Sequence, residues 1–291
     1  MSDGEKKPAL FLVGTPIGNL EDITQRALRI LREVDLIACE DTRHTRKLLN
    51  HFGIGTATIS YHEHNEQDRA EELCELLESG KNVALVSDAG TPLISDPGFR
   101  IVKAAIDRGI SVQPIPGAAA LVTALSASGL ATDQFLFAGF LPARAGARHA
   151  KLSGLKSIPA TLVLYEAPHR IRATLADARE ILGDREAVIA RELTKLHEEF
   201  ARGSLSELIG RFSEIEAPRG ELVLIISGQH TEMVASSGAT PPVDQFRERM
   251  NELEREGIDQ KTAMKKAAKE LGLKRDDAYR MLVNQKNRRS R

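Results

Sequence analysis

Three short loops combine glycine, proline and small residues in a pattern suited to holding a ligand. They are Gly14-Thr15-Pro16-Ile17-Gly18-Asn19, Ser87-Asp88-Ala89-Gly90-Thr91-Pro92 and Pro114-Ile115-Pro116-Gly117-Ala118-Ala119-Ala120. Glycine and alanine let the backbone approach a bound molecule closely, and proline holds such a loop rigid. A single loop of this kind is ordinarily just a turn; three of them, each after an apolar run, point to a small-molecule site. None carries Lys or Arg, so a polyphosphate is a poor candidate. A neutral or cationic ligand fits better, with Asp88 as its charge partner. Neither a P-loop nor a G-x-G-x-x-G after the first apolar run is present, which disfavours nucleotide and dinucleotide sites of those kinds.

Ionisable side chains concentrate in two further segments. One holds Glu166, His169 and Arg170; the other holds Arg191, Glu192, Lys195, His197 and Glu198. A lysine ammonium can lower the pKa of a nearby hydroxyl or, once desolvated, take its proton, and histidine does base work with less perturbation. Plainer alternatives stand beside these: Lys195 pairing with Glu192 or Glu198 at the surface, and His169 opening a helix after Pro168. Arg170, Arg191 and Arg202 have the chemistry to hold phosphates. His62 and His64, with Glu63 and Glu66, have metal-like composition but no third ligand at a metal spacing, so no metal is expected. Glu40, Asp41, Arg43, His44 and Arg46 read as an ion-pair network or as an RNA-orienting group.

These residues must be positioned by a scaffold. Leu10–Val13, Leu36–Cys39, Ala57–Ser60, Val83–Val86 and Ser111–Ile115 read as strands. Helical patterns lie between them, the clearest at Ile23–Val34 and Asp68–Glu78. Asp22 with Gln25 has capping-box spacing for the first, and Gly80 closes the second. This alternation predicts an α/β domain with a largely parallel sheet, whose carboxyl-end loops line a ligand crevice. A second strand set follows at Phe135–Ala138, Thr161–Tyr165, Ala187–Ala190, Glu199–Arg202 and Glu221–Ile226. Helices are expected at Arg170–Leu182 and Ser204–Phe212, the latter opened by Ser204 and Glu207. The close strands around His197 suggest an antiparallel component.

The 291 residues suggest about two domains, here residues 9–125 and 126–227 after a short tail at 1–8. Residues 228–243, rich in Gly, Ser, Thr and Pro, read as a linker, and residues 244–291 as a small helical appendage with three helical patterns. Charge is unevenly spread. Residues 261–291 carry 11 Lys and Arg against 3 Asp and Glu, or +8, leaving 29 basic and 38 acidic side chains, or −9, elsewhere. Such a tail suits a polyanion, although a solvated helical face has the same composition. Ala268 and Gly272, four apart among apolar neighbours, have helix-turn-helix spacing; a plain helical hairpin fits almost as well. Two cysteines, no long apolar run and no signal-peptide core lead us to expect a soluble, cytoplasmic protein.

Leu12–Leu20 (LVGTPIGNL), Ser87–Gly98 (SDAGTPLISDPG), Pro116–Ala120 (PGAAA) and Tyr165–Arg170 (YEAPHR) resemble signatures of the tetrapyrrole methylase superfamily. They are most similar to its bacterial branch that 2'-O-methylates a cytidine in the decoding region of 16S rRNA. The match runs from about Pro8 to Ser227, and the C-terminal appendage is also similar. The resemblance implies a two-domain class III methyltransferase fold, S-adenosylmethionine in the cleft between the domains, and a homodimer acting on 16S rRNA in the small ribosomal subunit. Motif by motif it places cofactor contacts at Pro16, Ser87, Asp88, Thr91, Ala119, Ala120, Glu166 and Leu193. Ala167 stands where the corrin and porphyrin members have another residue, and the Ser87–Gly98 loop replaces their GGDP-type loop; both departures weigh against a tetrapyrrole substrate. For a ribose hydroxyl acceptor, Lys195 and His169 are the catalytic candidates. Arg170, with Lys265, Lys266, Lys269, Lys274 and Arg275 of the appendage, is expected to contact RNA.

Overall fold

The computed structural model describes residues 8–213, 220–229 and 243–271. The chain divides into two compact units, Met1–Gln229 and His230–Arg291. In the first, five parallel strands form a sheet: β1 (Ala9–Val13), β2 (Leu36–Cys39), β3 (Thr58–Ser60), β4 (Val83–Val86) and β5 (Ser111–Ile115), in spatial order β3-β2-β4-β1-β5. The helices between and after them are α1 (Gln25–Glu33), α2 (Thr42–His51), α3 (Glu66–Glu78), α4 (Phe99–Asp107) and α5 (Ala120–Ser128). Both faces of the sheet are covered, as parallel strands require. Phe11 and Val13 of β1 pack with Ile30, Ile37 and Leu49 on one side, whereas Leu10 and Leu12 pack with Leu73, Leu85 and Ile101 on the other.

The second sheet holds β6 (Phe135–Phe140), β7 (Thr161–Glu166), β8 (Glu186–Arg191), β9 (Glu199–Ser204) and β10 (Leu222–Ile226), in the order β6-β7-β10-β8-β9. Only β6 and β7 run parallel; β10 is antiparallel to both β7 and β8, and β8 to β9. The expected antiparallel component is therefore larger than the one hairpin. Helices α6 (Ala145–Leu155), α7 (Ile171–Leu182) and α8 (Leu205–Ser213) cover one face. The other face is covered by α5, whose Leu121, Ala124 and Leu125 pack on Val163, Val188, Val223 and Ile225. The expected boundary after residue 125 thus falls inside a helix that serves the second sheet.

Local signals are largely realised. Ser204 and Glu207 form a reciprocal cap: Ser204 N donates to Glu207 Oε2 at 2.8 Å, and Glu207 N donates to Ser204 Oγ at 3.2 Å. Gly80, at φ +96°, ends α3 by donating to the Leu77 carbonyl. The cap expected from Asp22 is a correction. Asp22 closes a short 3-10 turn, Leu20–Asp22, and the hydroxyl of Thr24 accepts from Ala27 N at 3.1 Å to open α1.

In the second unit, α9 (Val243–Arg255) and α10 (Gln260–Glu270) pack through Phe246, Met250, Leu253, Ala263, Met264 and Ala267. Asp259 caps α10, and Arg249 joins the helices by donating to Glu270 at 2.7 Å. The third helical pattern, Gly272, Lys274 and Arg275 lie outside the described residues, as does most of the expected linker. Gly228 and Gln229 still belong to the first unit: Gln229 N donates to the Ile158 carbonyl at 2.9 Å. Among the described residues no helix is long and apolar enough to cross a membrane.

Candidate active site

Strands β4, β1 and β5 are neighbours and parallel, so the loops that leave their carboxyl ends emerge side by side. Those are the three small-residue loops, and they interlock through their backbones. Thr15 N donates to the Gly90 carbonyl at 2.8 Å and Gly90 N returns to Thr15 at 3.1 Å. The Thr91 hydroxyl donates to the Ala118 carbonyl at 3.1 Å. A Cβ on Gly14 would lie 2.9 Å from Gly117 Cα, so these two loops touch main chain to main chain. Gly90 sits at φ +85°, where a side chain is strained, and its Cβ would come 3.3 Å from Ile17.

Two cavities open on this platform and share the wall formed by Ile17, Asp88, Ala89 and Glu221. The first, about 280 Å³, lies between the loops and the ends of β6, β7 and β10. Thr91, Ala119 and Ala120 line one side, Tyr165 and Glu166 the other. Carboxylates dominate its polar lining: Glu40, Asp88, Asp96 and Glu221 join Glu166. Burial, reinforced by the charge of Glu40 and opposed by a hydrogen bond from Ser87, pushes the Asp96 carboxyl up to about 6. Burial and Asp88 raise Glu40 as well. Asp88 is oriented by the backbone N of Asp41, which donates to its Oδ1 at 3.2 Å. Phe140 and Tyr165 meet edge to face at 5.6 Å and give the cavity an aromatic border.

The second cavity, about 760 Å³, has a different lining. Lys195 borders it together with His44, Lys47 and His51 of α2. Lys195 is held by the turn after β8, where Glu192 and Thr194 adopt left-handed φ values of +50° and +65°. Its Nζ donates to Glu192 Oε1 at 3.0 Å. Gly18 lets the first loop pack on this turn, since a Cβ there would lie 2.7 Å from Lys195 Cγ.

Of the residues expected to touch a cofactor, Asp88, Thr91, Ala119, Ala120 and Glu166 meet around the first cavity. Pro16 borders the second instead. Ser87 is buried behind Asp88, its hydroxyl turned to the Gly90 carbonyl at 3.2 Å, and Leu193 is buried in the apolar layer under α5. Glu166 is wholly buried, accepting from Ala167 N at 2.8 Å, bonded to the Thr174 hydroxyl and ion-paired with Arg170 at 3.2 Å. Arg170 also donates to the Leu141 carbonyl. It braces β7 against its neighbours, a role different from the RNA contact expected of it. His169 is exposed on a 3-10 turn, Pro168–Arg170, and borders neither cavity. Lys265 and Lys266 are exposed on α10; Lys269 lies on that helix, its side chain outside the described set. Glu40 and Asp41 do not share one network: Asp41 pairs with Arg43, which holds its carboxyl down at about 2, while Glu40 faces the first cavity.

Asp96, Glu221, Tyr165 and Phe140 belong to the site without having been singled out from the sequence. Asp96 had a signal, its place in SDAGTPLISDPG. Glu221 had none beyond standing at the start of a strand.

An interlocked loop platform at the carboxyl edge of a parallel sheet, facing a mixed second sheet, defines a family. Residues 9–209 match the family Tetrapyrrole (Corrin/Porphyrin) Methylases, and the chain belongs to it. Its fold is similar to that of diphthine synthase (TM-score 0.59, 19% identity, 75% of this chain and 90% of that one). It is also similar to uroporphyrin-III C-methyltransferase from Thermus thermophilus in complex with S-adenosylhomocysteine (TM-score 0.53, 20% identity, 75% and 96%). In sequence it is similar to Ribosomal RNA small subunit methyltransferase I of Synechocystis sp., with 48% identity over 94% of this chain and 96% of the relative. The protein of that name from Bacillus subtilis is 46% identical over 93% and 92%.

Proposed function

We propose that this protein transfers a methyl group from S-adenosylmethionine to RNA of the small ribosomal subunit, the acceptor being the 2'-hydroxyl of a cytidine in the decoding region of 16S rRNA. One observation carries the reading: an acidic, small-residue cavity and a base-lined cavity share a single wall at Asp88 and Glu221. The donor is a cation and the acceptor a polyanion, so each finds a complementary side. Similarity to the ribosomal RNA small subunit methyltransferases I supports the substrate class.

The first cavity fits the cofactor on its own chemistry. Glu40, Asp88, Asp96 and Glu221 offset a sulfonium and an ammonium, and the bare backbone at Gly90, Ala119 and Ala120 admits close approach. When bound, the cofactor supplies an electrophilic methyl group on sulfur and a neutral thioether as leaving group. The interlocked loops fix the geometry, and alignment provides much of the rate in an in-line displacement. Across the wall, Lys195 presents an ammonium to the acceptor hydroxyl and stabilises charge developing on its oxygen, while the hydroxyl proton leaves to water. Glu192 keeps the lysine aimed. His169, exposed and bordering neither cavity, is given no step in this reading. Lys265, Lys266, Lys269, Lys274 and Arg275 anchor the subunit by neutralising phosphates, and the protein works as a homodimer in the cytoplasm.

Tritiated methyl transfer onto small subunits from cells lacking this protein, followed by mass mapping of 16S rRNA, tests the proposal. A single methylated cytidine ribose is expected; label on a base, or none on RNA, overturns it.

A further inference from the structure

Helix α2 carries basic side chains of two kinds. Arg43 pairs with Asp41 at 3.0 Å, and Arg46 donates to Thr58 Oγ1 at 2.9 Å and to the Thr56 carbonyl at 3.3 Å. These two are committed to the protein itself. His44, Lys47 and His51 are exposed, stand at i, i+3 and i+7, and all border the second cavity. The side chains of His44 and Lys47 have no hydrogen-bond or ion-pair partner among the described residues; His51 has only an edge contact with Phe52. The buried side of the helix is formed by Thr45 and Leu49, so the three form one stripe facing the cavity. Among the described residues, the only acidic ones that border that cavity are Asp88 and Glu221, at the wall shared with the acidic side.

We infer that this stripe is the seat of the acceptor strand: His44, Lys47 and His51 hold the phosphates flanking the target nucleotide, and Leu20 and Leu48 offer apolar surface to its ring. The inference rests on the RNA methyltransferase reading and specifies which residues present the strand. The stripe runs about 10 Å along the helix, long enough to engage successive phosphates. With the strand laid there, Lys195 stands on the same cavity as the acceptor ribose, and the residues common to both cavities, Asp88 and Glu221 among them, mark where acceptor and donor meet. Partially desolvated bases are held by such a combination of cationic and apolar contacts in single-stranded RNA recognition.

The test uses the full chain and small subunits purified from cells lacking this protein. Subunit affinity is measured without cofactor across a salt series, for the wild type, for His44→Ala/Lys47→Ala/His51→Ala and for Arg43→Ala. Cofactor affinity is measured separately by calorimetry. Phosphate contacts contribute to the salt slope roughly in proportion to their number. The triple variant should lose about tenfold or more in subunit affinity and show a slope shallower by roughly one to two. Its cofactor affinity should match the wild type, which also reports an intact fold. Arg43→Ala, which removes the same kind of charge one residue away, should behave as wild type. Lys47→Arg in the otherwise native chain should keep the slope. Wild-type affinity and slope in the triple variant overturn the inference, as does an equal loss in Arg43→Ala, which would mean that net charge alone matters. Failure of the wild type to bind or methylate subunits overturns instead the reading on which the inference rests.

Discussion

Glu192 and Lys195 form an ion pair, 3.0 Å between Oε1 and Nζ, on a turn whose residue 192 is held at φ +50°. The carboxylate lies directly beneath Gly220, where an added Cβ would fall 1.6 Å from Glu192 Oε1. The lysine is therefore aimed by a chain of two contacts. Lys195→Ala should lower single-turnover methyl transfer by one or more orders of magnitude, the usual cost of losing a proton-handling or charge-stabilising group. Cofactor affinity should stay at the wild-type value. Gly220→Ala, which displaces the carboxylate without touching the lysine, should give a smaller loss in the same step. Rapid-quench assays with saturating cofactor distinguish these outcomes, and a full-rate Lys195→Ala would remove the lysine from the reaction.

The first cavity, proposed to hold the donor, is lined by small residues. Gly90→Val adds a branched side chain at φ +85°, against Ile17, and Ala119→Phe fills the cavity directly. Calorimetric titration with S-adenosylmethionine should show at least a tenfold loss for each, with far-ultraviolet circular dichroism unchanged for Ala119→Phe. Native affinity in both would move the donor elsewhere.

Asp96 links the cavity to pH. Its carboxyl titrates at about 6, above the usual 3.8, because burial and neighbouring carboxylates disfavour its charged form. The folded protein thus binds this proton more tightly than the unfolded chain. The associated stability is present at low pH and is lost as pH rises from about 4 through 6. Asp96→Asn removes that penalty, so it should stabilise the protein at pH 7.5 by about 1 to 2 kcal/mol and by much less at pH 4. It should also weaken binding of the cationic donor and flatten the rise in wild-type affinity expected across pH 6. Thermal melts and titrations at four or five pH values read both effects; a destabilised variant at neutral pH contradicts the assignment.

The strands and the three loops were legible because short β-branched runs bounded by Gly and Pro leave little alternative, and parallel order then places loops on one edge. The role of α5 was not. Its sequence, ALVTALSAS, is apolar on most faces and so carries no period to say which sheet it covers. The Asp22 cap misled because its spacing to Gln25 is correct, but the side chain of Asn19 accepts from Glu21 N and opens a separate turn first. Ion pairing settled other residues in ways that sequence spacing does not encode: Arg170 is committed to Glu166, and Arg43 to Asp41. Lys195 and Asp88 stood out because their loops did.

The appendage offers a further test. Exposed Lys265 and Lys266 lie on α10, in a unit separate from the one that holds both cavities. Lys265→Glu/Lys266→Glu should weaken subunit binding severalfold and make its salt dependence shallower, because fewer condensed counterions are released. Cofactor affinity should not change. Equal binding at all salt concentrations would exclude α10 from the RNA contact.

Helix α5 begins at Ala120, a residue of the first cavity, and buries Leu121, Ala124 and Leu125 against the far sheet. The two sheets consequently share a structural element and cannot melt one at a time without exposing this layer. The body should unfold in a single calorimetric transition, and donor binding at one end of the helix should raise the melting temperature of both sheets together. Separately expressed halves divided after residue 125 would each carry an uncovered apolar face, so this catalytic body has to emerge from synthesis nearly whole before either sheet is secure.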